Sequence, residues 1–306
     1  MMLTLRAELR VAAITCERLR LSVRIFGFGL EHYGPIAAEA DRLGFDGLFV
    51  PDHLVAPLEF DASYPYRESG RPSFVPETPF ADPFVMLGHL AAATQRIRLG
   101  VGVFVLPLRN VFAVAKAAAT VQRLSGGRLL LGVGAGWCRE EFDAVGARFD
   151  LRGARGEEML EVMAKLWSGE PAEHAGRWYT FPPLQMSPAA PPPPVLFGGT
   201  TQPALTRAAR LGDGWYCPPA SLEQALAYRG AIDRLRIELG TEHRPFRFIA
   251  RVPAPASRGS LLTYAEAGLD DLLVEIPRDI EELDARLEWL RRLAEELPDG
   301  FLLAAA

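Results

Sequence analysis

The sequence predicts an α/β fold: a closed (β/α)8 or TIM barrel with insertion segments at its C-terminal face. Short β-branched or apolar runs alternate with longer helical stretches, the pattern of parallel βα units. Eight such runs occur, the number that closes a barrel. A chain of 306 residues with 49% hydrophobic content can also bury one large core, and barrels of this size commonly form a single domain. An open doubly wound sheet is the alternative architecture.

Taken in order, the expected strands cover residues 22–28, 47–50, 97–104, 129–133, 195–197, 214–217, 246–252 and 271–276. A helix over 35–43 stops at Gly44. Asp82 followed by Pro83 forms an N-cap and first-turn pair that opens a helix through residue 93. The helix over 111–124 ends at Ser125-Gly126-Gly127, a glycine stop. Further helices are expected near 153–167 and 280–297. Two segments interrupt the alternation. Residues 51–80 are rich in proline and aromatics and long for a βα loop, and 169–194 hold a hairpin-like apolar pair and a proline run. Insertions at the C-terminal side of strands commonly shape the pocket, and the proline run of 169–194 reads alternatively as a stiff linker into the fifth strand. Residues 1–20 read as an extension or a misassigned start, with one domain over 21–306.

Net charge is −5, which gives no electrostatic footprint for nucleic acid or an anionic membrane, so small molecules are the expected partners. No apolar run approaches eighteen residues without glycine or charge, and no secretory signal is present. Cys16, Cys138 and Cys217 are too widely spaced for a disulfide framework or a CxxC site, which suits a reducing cytoplasm. The five histidines show no metal-ligand spacing, so no metal is expected.

The most informative stretch is SGGRLLLGVGAGW at 125–137, a strand running into a glycine cluster. Glycines there let backbone N–H groups approach a flat or phosphorylated ligand. A dinucleotide fingerprint fails, because the third glycine position is Trp137 and the stretch lies far from the first strand. No P-loop is present either. Gly134, Ala135, Gly136 and Trp137 therefore form one candidate wall of a cofactor site. Gly100 and Gly102 interrupt the third strand and mark a bulge or close backbone approach. Gly198, Gly199 and Thr200 precede a helix, where free N–H groups favour an anion; Thr200 or Thr201 as an N-cap is the structural alternative. Asp52 and His53 follow the second strand, at the rim where barrel active sites sit. Glu140 and Glu141 are either acid/base groups near the glycine loop or the start of a solvated helix.

At these residues the chain resembles the bacterial luciferase-like superfamily, specifically its F420-dependent oxidoreductase branch. The resemblance rests on GFDGLFVPDHL at 44–54, YPYRESGRPSFVPETPFADPF at 64–84, LAAATQRIRLGVGVFVLPLRN at 90–110, LSGGRLLLGVGAGWCREEF at 124–142 and RAARLGDGW at 207–215. It implies a deazaflavin, coenzyme F420, at the barrel mouth. Asp52 and His53 would belong to that site. Gly102-Val103 would form a bulge with a non-prolyl cis peptide behind the ring, Gly134 to Trp137 would contact ring and linker, and Gly198, Gly199 and Thr200 would lie near the phosphate.

His53 is the expected proton donor or acceptor during hydride transfer, with Asp52 orienting it or contacting the cofactor. Trp137 and Phe74 or Phe80 are candidates for substrate walls or for core packing. Ala135 stands where some relatives carry a hydroxyl. Arg152 and Arg155 are expected to form ion pairs. No basic cluster for a sugar phosphate is evident after Arg251, which argues against a glucose-6-phosphate dehydrogenase. A homodimer is implied by the resemblance. The alternatives are an FMN-dependent monooxygenase using reduced flavin and oxygen, and a barrel that binds a ligand without turnover.

Overall fold

The computed structural model describes residues 19–60, 63–298 and 301–302; the expected extension at 1–18 lies outside them. Eleven strands are described: β1 (Arg20–Arg24), β2 (Gly47–Val50), β3 (Arg98–Val101), β4 (Phe104–Val105), β5 (Leu129–Gly134), β6 (Ala172–Ala175), β7 (Thr180–Leu184), β8 (Val195–Gly198), β9 (Gly214–Tyr216), β10 (Arg247–Arg251) and β11 (Asp271–Glu275). All pairs in the main sheet are parallel. Ser22 pairs with Gly47 and Arg24 with Glu275, so β1 joins both β2 and β11 and closes the ring. β3 and β4 are two halves of one barrel strand, both paired to β5. The closed eight-strand barrel is therefore present, and the expected single strand over 97–104 is broken at Gly102 and Val103, whose peptide bond is cis.

Nine α-helices are described around it: α1 (Tyr33–Leu43), α2 (Pro83–Ala93), α3 (Val111–Leu124), α4 (Arg139–Ala144), α5 (Arg152–Trp167), α6 (Gln202–Leu211), α7 (Leu222–Glu238), α8 (Arg258–Glu266) and α9 (Leu283–Glu296). The caps follow from the sequence. Asp82 accepts from the Phe84 and Val85 amides at 3.0 Å each, and Asn110 accepts from Phe112 and Ala113. At the C-terminal end of α2 the SGGR turn contributes Arg128, whose guanidinium donates to the carbonyls of Ala91, Thr94 and Ile97. Such side-chain donors satisfy carbonyls that a helix end leaves open. α7 and α8 go beyond the helices expected above. Each opens with a serine capping box, Ser221 with Gln224 and Ser257 with Ser260.

The strands divide their side chains by the period-two rule. Leu21, Val23, Leu48, Leu99, Val101, Leu131, Trp215, Phe248, Leu272 and Val274 face the helices in the principal core. The opposite faces fill the barrel interior, where Phe49, Leu130, Leu196, Tyr216, Ile249 and Leu273 form a separate buried cluster with Val103. Only the first insertion, 51–80, follows a strand and lies at the C-terminal mouth. The second connects α5 to β8, and its β6–β7 hairpin climbs the outside of the helices: Glu158 of α5 accepts from the Arg177, Trp178 and Tyr179 amides at the hairpin tip. It does not follow a strand, so the pocket-shaping role expected of it falls to the first insertion.

Candidate functional site

The end of β2 delivers Asp52 and His53 to the mouth as expected, but the two part company there. Asp52 is fully buried; its Oδ2 accepts from the Val105 amide at 2.8 Å and its Oδ1 from Arg109 Nη2 at 2.5 Å. Burial pushes its carboxyl above the usual aspartate range, and Arg109 and the Val105 amide oppose that only in part. Asp52 thus ties β2 to β4, with Arg109 lying over Phe104 at 4.7 Å. It does not orient His53.

Glu141 does. Its Oε2 lies 2.9 Å from His53 Nδ1, and its Oε1 accepts from the Leu54 amide at 2.9 Å. Its placement corrects the solvated-helix alternative: Glu141 sits in the first turn of α4 yet is 2% exposed, because that turn folds back under the rim beside the buried Phe142. A carboxylate on Nδ1 fixes the ring's tautomer and leaves Nε2 as the reactive nitrogen. Phe74 and Phe80 flank the imidazole at 4.7 and 5.0 Å between centroids, and Trp137 lies at 6.0 Å. Trp137 also stacks on Phe60 and meets Tyr64 edge-on. These rings come from the 51–80 insertion and the glycine loop and are half-buried, outside the hydrophobic clusters. They wall the mouth and do not pack the core.

The glycine elements converge around one side chain. A Cβ at Gly134 would lie 2.8 Å from Val103 Cγ2, and one at Gly198 would lie 2.9 Å from Val103 Cγ1. A Cβ at Gly102 would stand 2.4 Å from the Tyr216 ring. Glycine at these positions keeps the wall thin around the Gly102-Val103 peptide, which leaves a surface that a planar ring can approach. Gly136 takes a φ of 87°, and its carbonyl accepts from Arg152 Nε at 2.9 Å. Gly199, with φ of 101°, accepts from Trp215 Nε1 through its carbonyl.

Gly134, Ala135, Gly198, Arg152, Glu157 and Arg207 line a shallow cleft beside the glycine loops, with Arg207 Nε donating to Glu157 at 2.7 Å. Thr200 stands just before α6; the N-cap is Thr201, whose side chain makes no capping bond, and Pro203 removes one donor from the first turn. Arg152 and Arg155 depart from the expected ion pairs. Arg152 donates to carbonyls and lies 3.7 Å from the Phe149 ring centre, and Arg155 donates to the Tyr179 hydroxyl. Cys138 and Cys217 are buried, which pushes both thiols up to about 12 and leaves them unreactive at neutral pH.

Sequence reasoning missed a second set at the mouth. Arg24, Arg251 and Glu275 end β1, β10 and β11 on the inward face, and Tyr216 ends β9 beside them. Arg24 and Arg251 therefore meet at the mouth on Glu275, although 227 residues separate the two arginines along the chain. The signal was the alternation Arg20, Ser22, Arg24 against apolar neighbours in β1, which places the polar residues inside the barrel. Among the described residues, no helix is long and apolar enough to cross a membrane.

A family model described as luciferase-like monooxygenase matches residues 14–290. An uncharacterized protein of Mycobacterium tuberculosis is 33% identical over 275 residues, covering 87% of this chain and 94% of that protein. An F420-dependent glucose-6-phosphate dehydrogenase of Beutenbergia cavernae is 34% identical over 187 residues, covering 58% of this chain and 49% of that protein. Among solved structures, an F420-dependent secondary alcohol dehydrogenase in complex with an F420-acetone adduct superposes with a TM-score of 0.73 at 15% identity. That match covers 92% of this chain and all of the other, and it bears on the fold alone. With the barrel closed and a family match spanning most of its length, the chain belongs to the luciferase-like monooxygenase family.

Proposed function

We propose that the protein is an F420-dependent oxidoreductase that moves a hydride between the deazaflavin C5 and a small organic substrate. The observation that carries this reading is His53, held by the buried Glu141 between aromatic walls beside the glycine surface around Val103. A hydride transfer to or from an oxygenated carbon needs a partner for the proton, and a histidine with one nitrogen committed and the other open is suited to that task.

The residues fit the cofactor. The thin wall formed by Gly102, Gly134 and Gly198 suits the face of a planar ring, and Arg152 beside the glycine loops offers a cation to a phosphate. When bound, the deazaflavin supplies a two-electron donor or acceptor. The chain does the rest. His53 Nε2 exchanges the proton with a substrate oxygen, Glu141 holds the ring, Phe74, Phe80 and Trp137 exclude water, and the Asp52–Arg109 pair fixes the rim. The F420-dependent relative from Beutenbergia cavernae supports this choice of cofactor. The description of the matching family supports the second reading, an FMN-dependent monooxygenase.

Titrating the purified protein with F420 and with FMN, following cofactor fluorescence, tests the choice. Saturable F420 binding with FMN bound more weakly is expected. Tight FMN binding with no F420 binding overturns it.

A further inference from the structure

The charges at the barrel mouth do not balance. Arg24 Nη1 donates to Glu275 Oε2 at 2.7 Å, and Arg251 Nη2 donates to the same oxygen. From the rim, Arg278 Nε reaches within 3.8 Å of Glu275 Oε1. The buried Arg24 and the part-buried Arg251 thus share one carboxylate, and among the described residues Glu141 is committed to His53 and Asp52 to Arg109. Among the described residues, at least one of these positive charges lacks a counter-ion, an arrangement that a chain does not favour on its own account. Burial and the like charge of Arg24 together hold the Arg251 guanidinium below its ordinary value, in spite of Glu275.

Two polar groups beside these charges are also unsatisfied. Tyr216 is 5% exposed and its hydroxyl has no hydrogen-bond partner among the described residues, and neither has Arg24 Nε. The Tyr216 hydroxyl lies 2.6 Å from where a Cβ on Gly102 would be, so it stands against the wall assigned to the cofactor ring. Burial raises its pKa, and Arg24 and Arg251 oppose that only in part, so the phenol stays protonated and remains a donor.

We propose that Arg24, Arg251 and Tyr216 form the receptor for the carboxylate of an organic-acid substrate. Guanidinium forks match a planar carboxylate, and a monoanion cancels one excess charge where a phosphate dianion would overshoot it. That the acid is the substrate rests on the oxidoreductase reading above; that the mouth binds a carboxylate does not.

Calorimetry on the cofactor-free full-length protein tests this with sodium benzoate, its neutral counterpart benzamide, and inorganic phosphate. Benzoate is expected to bind saturably, benzamide at least about tenfold more weakly, and Arg251→Met to weaken benzoate by about tenfold or more. Arg251→Met leaves Arg24 and Glu275 as a one-to-one pair, so its urea midpoint should match the wild type. Tyr216→Phe, which removes only one hydroxyl, should weaken benzoate by a smaller factor.

Equal binding of benzoate and benzamide, or an Arg251→Met protein that binds benzoate like the wild type, overturns the proposal. So does phosphate binding more tightly than benzoate at this site. Competition between benzoate and F420, with Arg251→Met weakening both by the same factor, assigns the charges to the cofactor and overturns it as well. Failure of F420 to bind, with benzoate behaving as expected, removes the cofactor assignment and leaves the carboxylate receptor standing.

Discussion

The two ends of the barrel are built from the same strands with the same kinds of residue, yet they do different things. At the N-terminal end Arg20, Arg247 and Asp271 open β1, β10 and β11; at the C-terminal end Arg24, Arg251 and Glu275 close them, each four residues further along the same inward face. At the first end Arg247 clasps Asp271 through Nε at 2.7 Å and Nη2 at 3.1 Å and also reaches Asp46 at 2.8 Å, while Arg20 contacts Asp271 and Asp270. Arg98 adds a third positive charge near Asp46 and Asp271. Three acids face three bases, and the end is plugged. At the other end one acid faces two bases; each end also holds unpartnered polar atoms among the described residues, Arg247 Nη1 and Ser22 Oγ toward the plug and the Tyr216 hydroxyl and Arg24 Nε at the mouth, so it is the charge count that differs. Charge balance, not residue type, separates a closure from a receptor.

The largest effects should fall on opposite properties at the two ends. His53→Asn at the mouth, which keeps a polar partner for Glu141, is expected to lower turnover by about 100- to 10,000-fold, the range for a lost acid/base group, with a urea midpoint close to the wild type's. Arg247→Met at the plug leaves Asp271 with Arg20 alone and takes from Asp46 its hydrogen-bonded partner, and should cost about 3–5 kcal/mol of stability. Turnover per folded molecule should be unaffected. Urea unfolding with parallel steady-state assays reads both, and an Arg247→Met protein as stable as the wild type would show that the plug is not a closure.

Glu275→Gln probes the unbalanced end. It leaves two guanidiniums facing each other and should cost about 2–3 kcal/mol, somewhat less than the plug because the mouth admits more water. Burial works to raise the Glu275 carboxyl, but Arg24 and Arg251 outweigh it and hold it below the ordinary value of 4.5. A depressed carboxylate gives stability that is fully present above the unfolded value and is lost as pH falls through the folded one. The gap between wild type and Glu275→Gln should therefore be constant from neutrality down to about pH 5.5 and close on further acidification. A gap that widens in acid would contradict the pairing.

How legible this contrast is in the sequence depends on distance along the chain. The barrel strands were readable because each is a short apolar run with its own flanking turn, and the caps at Asp82 and Asn110 announce their helices locally. α7 was harder to read, with Gly230 and many charged residues diluting its apolar face, although its Ser221–Gln224 box was a usable start signal. Asp52-His53 and the glycine loops were found because each is contiguous. Glu141 was weighed and set aside, since nothing local says that a helix-start glutamate turns back to a histidine 88 residues earlier. The mouth cluster was missed for the same reason. Its arginines are ordinary one at a time, and their imbalance exists only once β1 lies beside β11 and β10.

The smallest expected effect is the sharpest test of that imbalance. If the Tyr216 hydroxyl is held in reserve for a ligand, it contributes nothing to the ligand-free fold and carries the cost of a buried donor without a partner. Tyr216→Phe keeps the ring against Phe49, 5.2 Å away between centroids, and removes only the oxygen. The ligand-free variant should then match the wild type or exceed it by up to about 1 kcal/mol in urea unfolding. Adding saturating benzoate should reverse the order, because only the wild type gains the extra hydrogen bond and with it the larger mass-action stabilisation. A Tyr216→Phe protein that loses more than about 1 kcal/mol without ligand would mean the hydroxyl serves the fold, and the mouth would then resemble the plug more closely than its charges imply.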